Sequence, residues 1–202
     1  MYYEVNRDLS VEVAQKAKRE GVGHFIFLST MSVYGKNIGV ITKKTQPTPV
    51  THYGKSKLEA EKQLEALRDD QFLLTILRPP MVYGKNCKGN FQGIINLVQK
   101  LPIFPKVKNQ RSMLYINHLS SFVKLCIDKK AGGLYFPQNR EYMQTMDIAN
   151  VVALSIHKKI HFSRLLGCVV KICIPFLTVA QKGFGTLVYQ DTEDFDYVYC
   201  EK

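Results

Sequence analysis

Two short apolar runs, residues 24–29 and 72–77, each follow a stretch with helical spacing, and this alternation constrains the fold more than any other feature. An apolar run with no polar alternation suits a strand covered on both faces, as in a parallel sheet whose crossovers are helices. In the first helical stretch, 9–20, Leu9, Val13, Ala17 and Glu20 keep helical spacing, and Gly21 ends it. The second follows Pro47 and Pro49, with Thr51 at the N-cap position and Leu58, Ala60, Glu61, Leu64 and Leu67 forming a mainly apolar seam. The expected class is α/β with the strands at 24–29 and 72–77 parallel and adjacent.

Chemistry enters at Tyr53 and Lys57, four residues apart and therefore on one face of the second helix. A nearby ammonium favours phenolate, drawing a tyrosine down from its usual value of about 10 towards that of a useful general base. Alone, such a pair is a weak signal, since by chance most are a solvated lysine beside a half-buried tyrosine. Ser29 and Thr30 add weight, because they close the first apolar run, and ligands bind at the C-terminal ends of strands in open α/β sheets.

Three blocks stand in order: a strand ending in Ser29-Thr30 followed by Val33-Tyr34-Gly35, then Tyr53-Gly54-Lys55-Ser56-Lys57, then Arg78-Pro79-Pro80-Met81-Val82-Tyr83-Gly84. Together they resemble the extended short-chain dehydrogenase/reductase family of nucleotide-sugar epimerases and dehydratases. The resemblance implies a partial Rossmann-like sheet over 1–84 and a small α+β substrate lobe over 85–202, with segments near 111–130 returning to the first part. It implies NAD as cofactor, held by Ser29, Tyr53, Lys57 and Pro80, and a nucleoside-diphosphate sugar as substrate. Thr30, Tyr53 and Lys57 would be catalytic: Tyr53 takes a sugar hydroxyl proton, Lys57 holds the nicotinamide ribose, and Thr30 bonds the reacting oxygen. Met81, Phe104 and Arg111 would contact the substrate, Arg111 gripping the diphosphate with its planar guanidinium. Asn6 would support the site, or serve as a plain helix cap.

The residues after Thr30 discriminate within the family. Dehydratases carry Asp-Glu there and decarboxylases a Glu, whereas this chain has Met31-Ser32. The expectation is therefore a UDP-hexose 4-epimerase type of activity. A keto-sugar reductase or dehydrogenase, or a non-catalytic nucleotide-binding member, is the alternative. A dinucleotide fold also needs a glycine-rich turn after its first strand; no such arrangement occurs in the 202 residues. Against the family the chain would begin after the fourth strand, leaving the strands at Phe25 and Phe72 with an exposed edge.

The net charge of +11 favours anionic partners. The lysines are scattered, with no basic helix or zinc-finger spacing, so nucleic acid is not expected. Five cysteines without Cys-x-x-Cys or a histidine cluster imply neither disulfides nor metal, and suit a reducing cytoplasm. The chain starts without a basic segment and apolar core, so no signal peptide is expected. Cell-surface polysaccharide biosynthesis is the setting implied, and a homodimer stays open. Residues 36–50 read as an irregular loop over the site, and 145 as a helix cap. The most apolar stretch, 165–177, is interrupted by Lys171 and Pro175 and falls short of the ~20 residues that span a bilayer. It reads as a buried helix or lobe surface, with weak membrane-surface contact as the lesser reading. The acidic run 191–196 reads as solvated.

Overall fold

A computed structural model describes residues 1–85 and 90–190; the acidic run at 191–196 lies outside them. In chain order the elements are α1 (Leu9–Arg19), β1 (His24–Leu28), β2 (Gly39–Ile41), α2 (His52–Glu65), β3 (Leu73–Leu77), β4 (Met81–Tyr83) and α3 (Asn90–Lys100). There follow β5 (Ile103–Pro105), β6 (Met113–Tyr115), α4 (Ile116–Asp128), β7 (Gly133–Tyr135) and α5 (Thr145–Ser155). The last are β8 (His161–Ser163), α6 (Arg164–Cys173), α7 (Thr178–Phe184) and β9 (Leu187–Tyr189).

The expected parallel pair is present. β1 and β3 run side by side from His24 opposite Leu73 to Leu28 opposite Leu77, and β7 adds to the other edge of β3, also parallel. The strand after Phe72 is thus central, contrary to the expectation of an exposed edge there, while β1 and β7 are the two edges of this sheet. β3 is apolar but for Thr75, whose hydroxyl donates to the Ala131 carbonyl, because both faces are covered. Ala14, Ala60 and Leu64 of α1 and α2 pack with Phe27, Phe72, Leu74 and Ile76 on one side. Leu119, Phe122 and Cys126 of α4 meet Leu77 on the other. Each fully buried Leu or Phe here contributes about 1.5–3 kcal/mol.

Three further expectations are corrected. The first helix starts earlier, through a π-helical turn over Glu4–Asp8 that runs straight into α1. Leu9 and Val13 face solvent, and the core side is instead Ala14 with Val11 and Ala17. The loop over 36–50 is not wholly irregular, since β2 pairs in parallel with β9 far along the chain. Thr145 does not cap α5. Its backbone N–H donates to Asn109 Oδ1 (3.0 Å) and its hydroxyl to the Gly183 carbonyl (2.8 Å), fixing α5 to the last turn of α7.

The second part of the chain gathers around Val98, Phe104, Met113, Ile148, Ala149 and Phe184. Phe104 is fully buried there, its ring against Phe162 and Phe184. The 165–177 stretch is not a buried helix: α6 lies on the surface, capped by Ser163, whose hydroxyl accepts from Leu166 N–H.

Candidate active site

Thr30 leaves the end of β1 in extended conformation, and its hydroxyl accepts the Ser32 N–H (3.1 Å), capping a 3₁₀ turn over Met31–Tyr34. Gly35 closes that turn at φ +64°, where a side chain would also strike the Thr48 carbonyl. Thr51 caps α2 as its sequence implies, accepting the Gly54 N–H (3.1 Å). Gly54 lets the start of α2 sit against the 3₁₀ turn: a Cβ there would lie 2.6 Å from the Ser32 carbonyl oxygen. These two caps and two glycines bring the Tyr53 phenol beside the Thr30 hydroxyl, which favours its phenolate. The Tyr2 ring covers Tyr53 from outside at 6.0 Å between centroids.

Electrostatically the pair differs from expectation. Burial pushes the Tyr53 phenol above its ordinary value, the Thr30 hydroxyl only partly opposing this. Lys57 does not offset it, because its ammonium donates to the Leu28 carbonyl (2.8 Å) and lies 4.6 Å above the Phe27 ring. Burial in turn lowers Lys57, with the Glu61 carboxylate pulling the other way.

That carboxylate was read only as part of an apolar seam, yet it organises the floor of the site. Glu61 accepts Arg78 Nε (3.0 Å) and Nη2, and also the Ser29 hydroxyl. Arg78 Nη1 reaches the Tyr34 hydroxyl (2.8 Å), and the Tyr189 hydroxyl donates to the Arg78 carbonyl (2.8 Å). Ser29, expected at the cofactor, is therefore committed to Glu61 and supports from below. A carboxylate inside an apolar stripe needs a buried partner, and that signal could have singled out Glu61. Asn6 donates to Ser56 Oγ (3.2 Å), tying the π-helical turn to α2; this is a supporting contact and not a helix cap.

A cavity of about 320 Å³ opens beside Thr30. Its lining includes Ser32, Lys36, Pro80, Met81, Arg111 and Lys182. Arg111 is 5% exposed, and Nη1 donates to the carbonyls of Gly185 (3.1 Å) and Gln181 (3.4 Å). No carboxylate pairs with it among the described residues, and burial lowers its pKa. A buried guanidinium bonded only to carbonyls, with an ammonium beside it, suits an anionic oxygen ligand. The structure therefore brings Thr30, Pro80, Met81 and Arg111 to one cavity, with Tyr53 beside Thr30. Phe104 is not among them: it belongs to the core. Lys182, missed in the sequence, arrives only because α7 folds back.

The match to known proteins is extensive. The family model described as the NAD dependent epimerase/dehydratase family covers residues 1–135. A UDP-glucose 4-epimerase of Vibrio cholerae is 35% identical over 167 residues, 78% of this chain and 51% of the relative. An N-acetyl-alpha-D-glucosaminyl-diphospho-ditrans,octacis-undecaprenol 4-epimerase of Escherichia coli O157:H7 is 28% identical over 88% of this chain and 57% of its own length. The chain thus spans about half the length of these curated relatives. The fold is shared with the UDP-glucuronic acid 4-epimerase of Bacillus cereus, at TM-score 0.68 and 18% identity, covering 93% of this chain and 58% of that one.

Proposed function

Since the chain belongs to the NAD-dependent epimerase/dehydratase family, we propose that it carries the catalytic and sugar-binding part of a nucleoside-diphosphate hexose epimerase, of the UDP-hexose 4-epimerase type. One observation carries this reading: the Tyr53 phenol stands beside Thr30, and Thr30 lines the same cavity as the buried, carboxylate-free Arg111. In the proposed mechanism Arg111 and Lys182 engage the diphosphate, which sets the hexose ring between them and the Thr30 end. Thr30 holds the reacting sugar oxygen, and Tyr53 accepts its proton and later returns it. Lys57, one turn along α2 and bonded to the Leu28 carbonyl, is placed to hold the nicotinamide ribose. Met31 is buried and Ser32 carries only a hydroxyl, 3.2 Å from that of Thr30. With no acid–base pair of carboxylates at these positions, the reading excludes water elimination.

The residues present fit the nicotinamide end of NAD: Tyr53 and Lys57 share a helix face at the end of β1, with Pro80 opposite on the cavity wall. Bound NAD would supply the oxidising and reducing power at the sugar carbon. Its pyrophosphate normally rests on backbone N–H groups of a glycine-rich turn, which the 202 residues do not contain. Each missing charge-assisted bond is worth about 1.5–3 kcal/mol, so the chain alone should bind NAD⁺ weaker by orders of magnitude than a fusion with a glycine-rich dinucleotide-binding segment placed before residue 1. Calorimetry compares the two directly. The folded fusion should interconvert UDP-glucose and UDP-galactose with no net change in NADH, and Tyr53→Phe should cut kcat by roughly 10²–10⁴. A fusion that holds NAD but leaves both sugars untouched would overturn the reading. Stoichiometric NADH oxidation with a keto-sugar would point to the reductase instead.

A further inference from the structure

One surface of α6 and α7 is apolar, exposed and basic at its edges. Leu165, Val169, Ile172 and Phe176 follow one another at four, three and four residues, so they form one stripe along α6 and the turn after it. Leu165 is 80% exposed, Ile172 70%, Phe176 81%, and Val179 at the start of α7 84%. The lobe core does not use this stripe. The opposite side of α6 is the packed one: Val170 and Ile174 lie against the core, and Gly167 sits so close to the Lys106 backbone that a Cβ would stand 2.3 Å from its carbonyl oxygen. Hence α6 is apolar on two sides and buried on one.

Charge says what the free side suits. From residue 148 to residue 190 there is no Asp or Glu, while Lys158, Lys159, Arg164, Lys171 and Lys182 fall in that span. Arg164 and Lys171, both exposed, are seven residues apart and so flank the stripe along the same edge of α6.

The geometry points to an anionic phospholipid surface as the partner of this face, with α6 lying in the headgroup plane, the stripe inserted among acyl chains, and Arg164 and Lys171 on lipid phosphates. An apolar face bordered by cations is the pattern of helices that lie on membranes. No helix among the described residues is long and apolar enough to cross one. A second copy fits less well, since a two-fold contact would set Arg164 and Lys171 beside their own copies with no carboxylate from 148–190 to answer them. A partner protein fits less well too, because side chains this exposed stand out as a ridge instead of lining a groove for a peptide or helix. The same α7 that presents Val179 outward carries Lys182 to the cavity, so docking would hold the cavity close to the lipid surface. The inference does not depend on which sugar the cavity takes.

Flotation of the 202-residue chain with vesicles of phosphatidylcholine, alone or mixed with phosphatidylglycerol, tests it. The chain should float with the mixed vesicles, and added salt should weaken binding. Ile172→Gln/Phe176→Gln, both exposed and checked by circular dichroism, should abolish flotation. Arg164→Gln/Lys171→Gln should weaken it by roughly thirtyfold and flatten the salt dependence. Failure to float, equal binding to both vesicles, or binding indifferent to both double variants would overturn the proposal. So would a dimer in sedimentation equilibrium that Ile172→Gln/Phe176→Gln dissociates, which would assign the face to a second copy.

Discussion

Glu61 is held by three side-chain donors, from Ser29 and twice from Arg78, and lies one turn from Lys57 on α2. Its ion pair with Arg78 is almost fully buried, at 5% and 8% exposure. Removing one member leaves the other charged and unpaired in the interior, which costs about 3–5 kcal/mol, whereas replacing both with apolar groups of similar volume is often close to neutral. Glu61→Ala should therefore lower the urea unfolding free energy by about 3–5 kcal/mol, and Glu61→Leu/Arg78→Met by much less. Equal losses in the two variants would show that the pair is not what stabilises the floor of the site. The sequence marked Tyr53, Lys57 and Thr30 because their residue types and spacing are chemical. It did not mark Glu61 as a hub, because its partners come from two strand ends that only folding brings beneath α2.

At the scale of elements, the site depends on how closely α2 meets the 3₁₀ turn after β1. Gly54 permits that approach, and a methyl group there would have to displace the Ser32 backbone or the Pro49 ring, 3.1 Å away. Gly54→Ala should destabilise the chain by about 1–3 kcal/mol and separate Tyr53 from Thr30. Reduced activity of the fusion with little change in NAD affinity is the expected kinetic result. An unchanged urea midpoint with unchanged turnover would mean that the two elements tolerate a wider spacing. β1, β3 and α2 were legible within a residue or two, since their cues are local: an unbroken apolar run, and a threonine cap after proline. β2 was not, because a three-residue strand at Gly39–Ile41 is defined by its partner Leu187–Tyr189 and has no local pattern of its own.

Across the whole molecule, several buried groups are held in their protonated, neutral form. Burial pushes Cys126 from 9.0 up to about 11, and raises Tyr34, Tyr53 and Tyr189 above their usual 10.0. Each pKa is higher in the folded chain than in the unfolded one. The stability each contributes is thus complete below the unfolded value and is lost as pH rises through the folded one. Lys57 and Arg111, lowered by burial, work in the opposite sense, two groups against these four. The urea midpoint should hold from neutrality to the cysteine's ordinary 9.0 and fall steadily beyond it. Cys126→Val should flatten the part of that fall below about 11. A midpoint unchanged through this range would show that alkali reaches these groups without unfolding the chain.

By itself the sequence determined the α/β class, the parallel pairing of β1 with β3, and the shared helix face of Tyr53 and Lys57. All three follow from periodicities and caps that act within a few residues. The tertiary structure alone decided that Phe104 is core, that Arg111 and Lys182 meet at one cavity, and that Lys57 turns to the Leu28 carbonyl instead of lowering Tyr53. It also decided that the most apolar stretch of the chain ends up on the surface. A side chain's burial and partners depend on segments tens of residues away, and whether an apolar helix is covered depends on what packs over it, which the residue pattern of the helix does not encode.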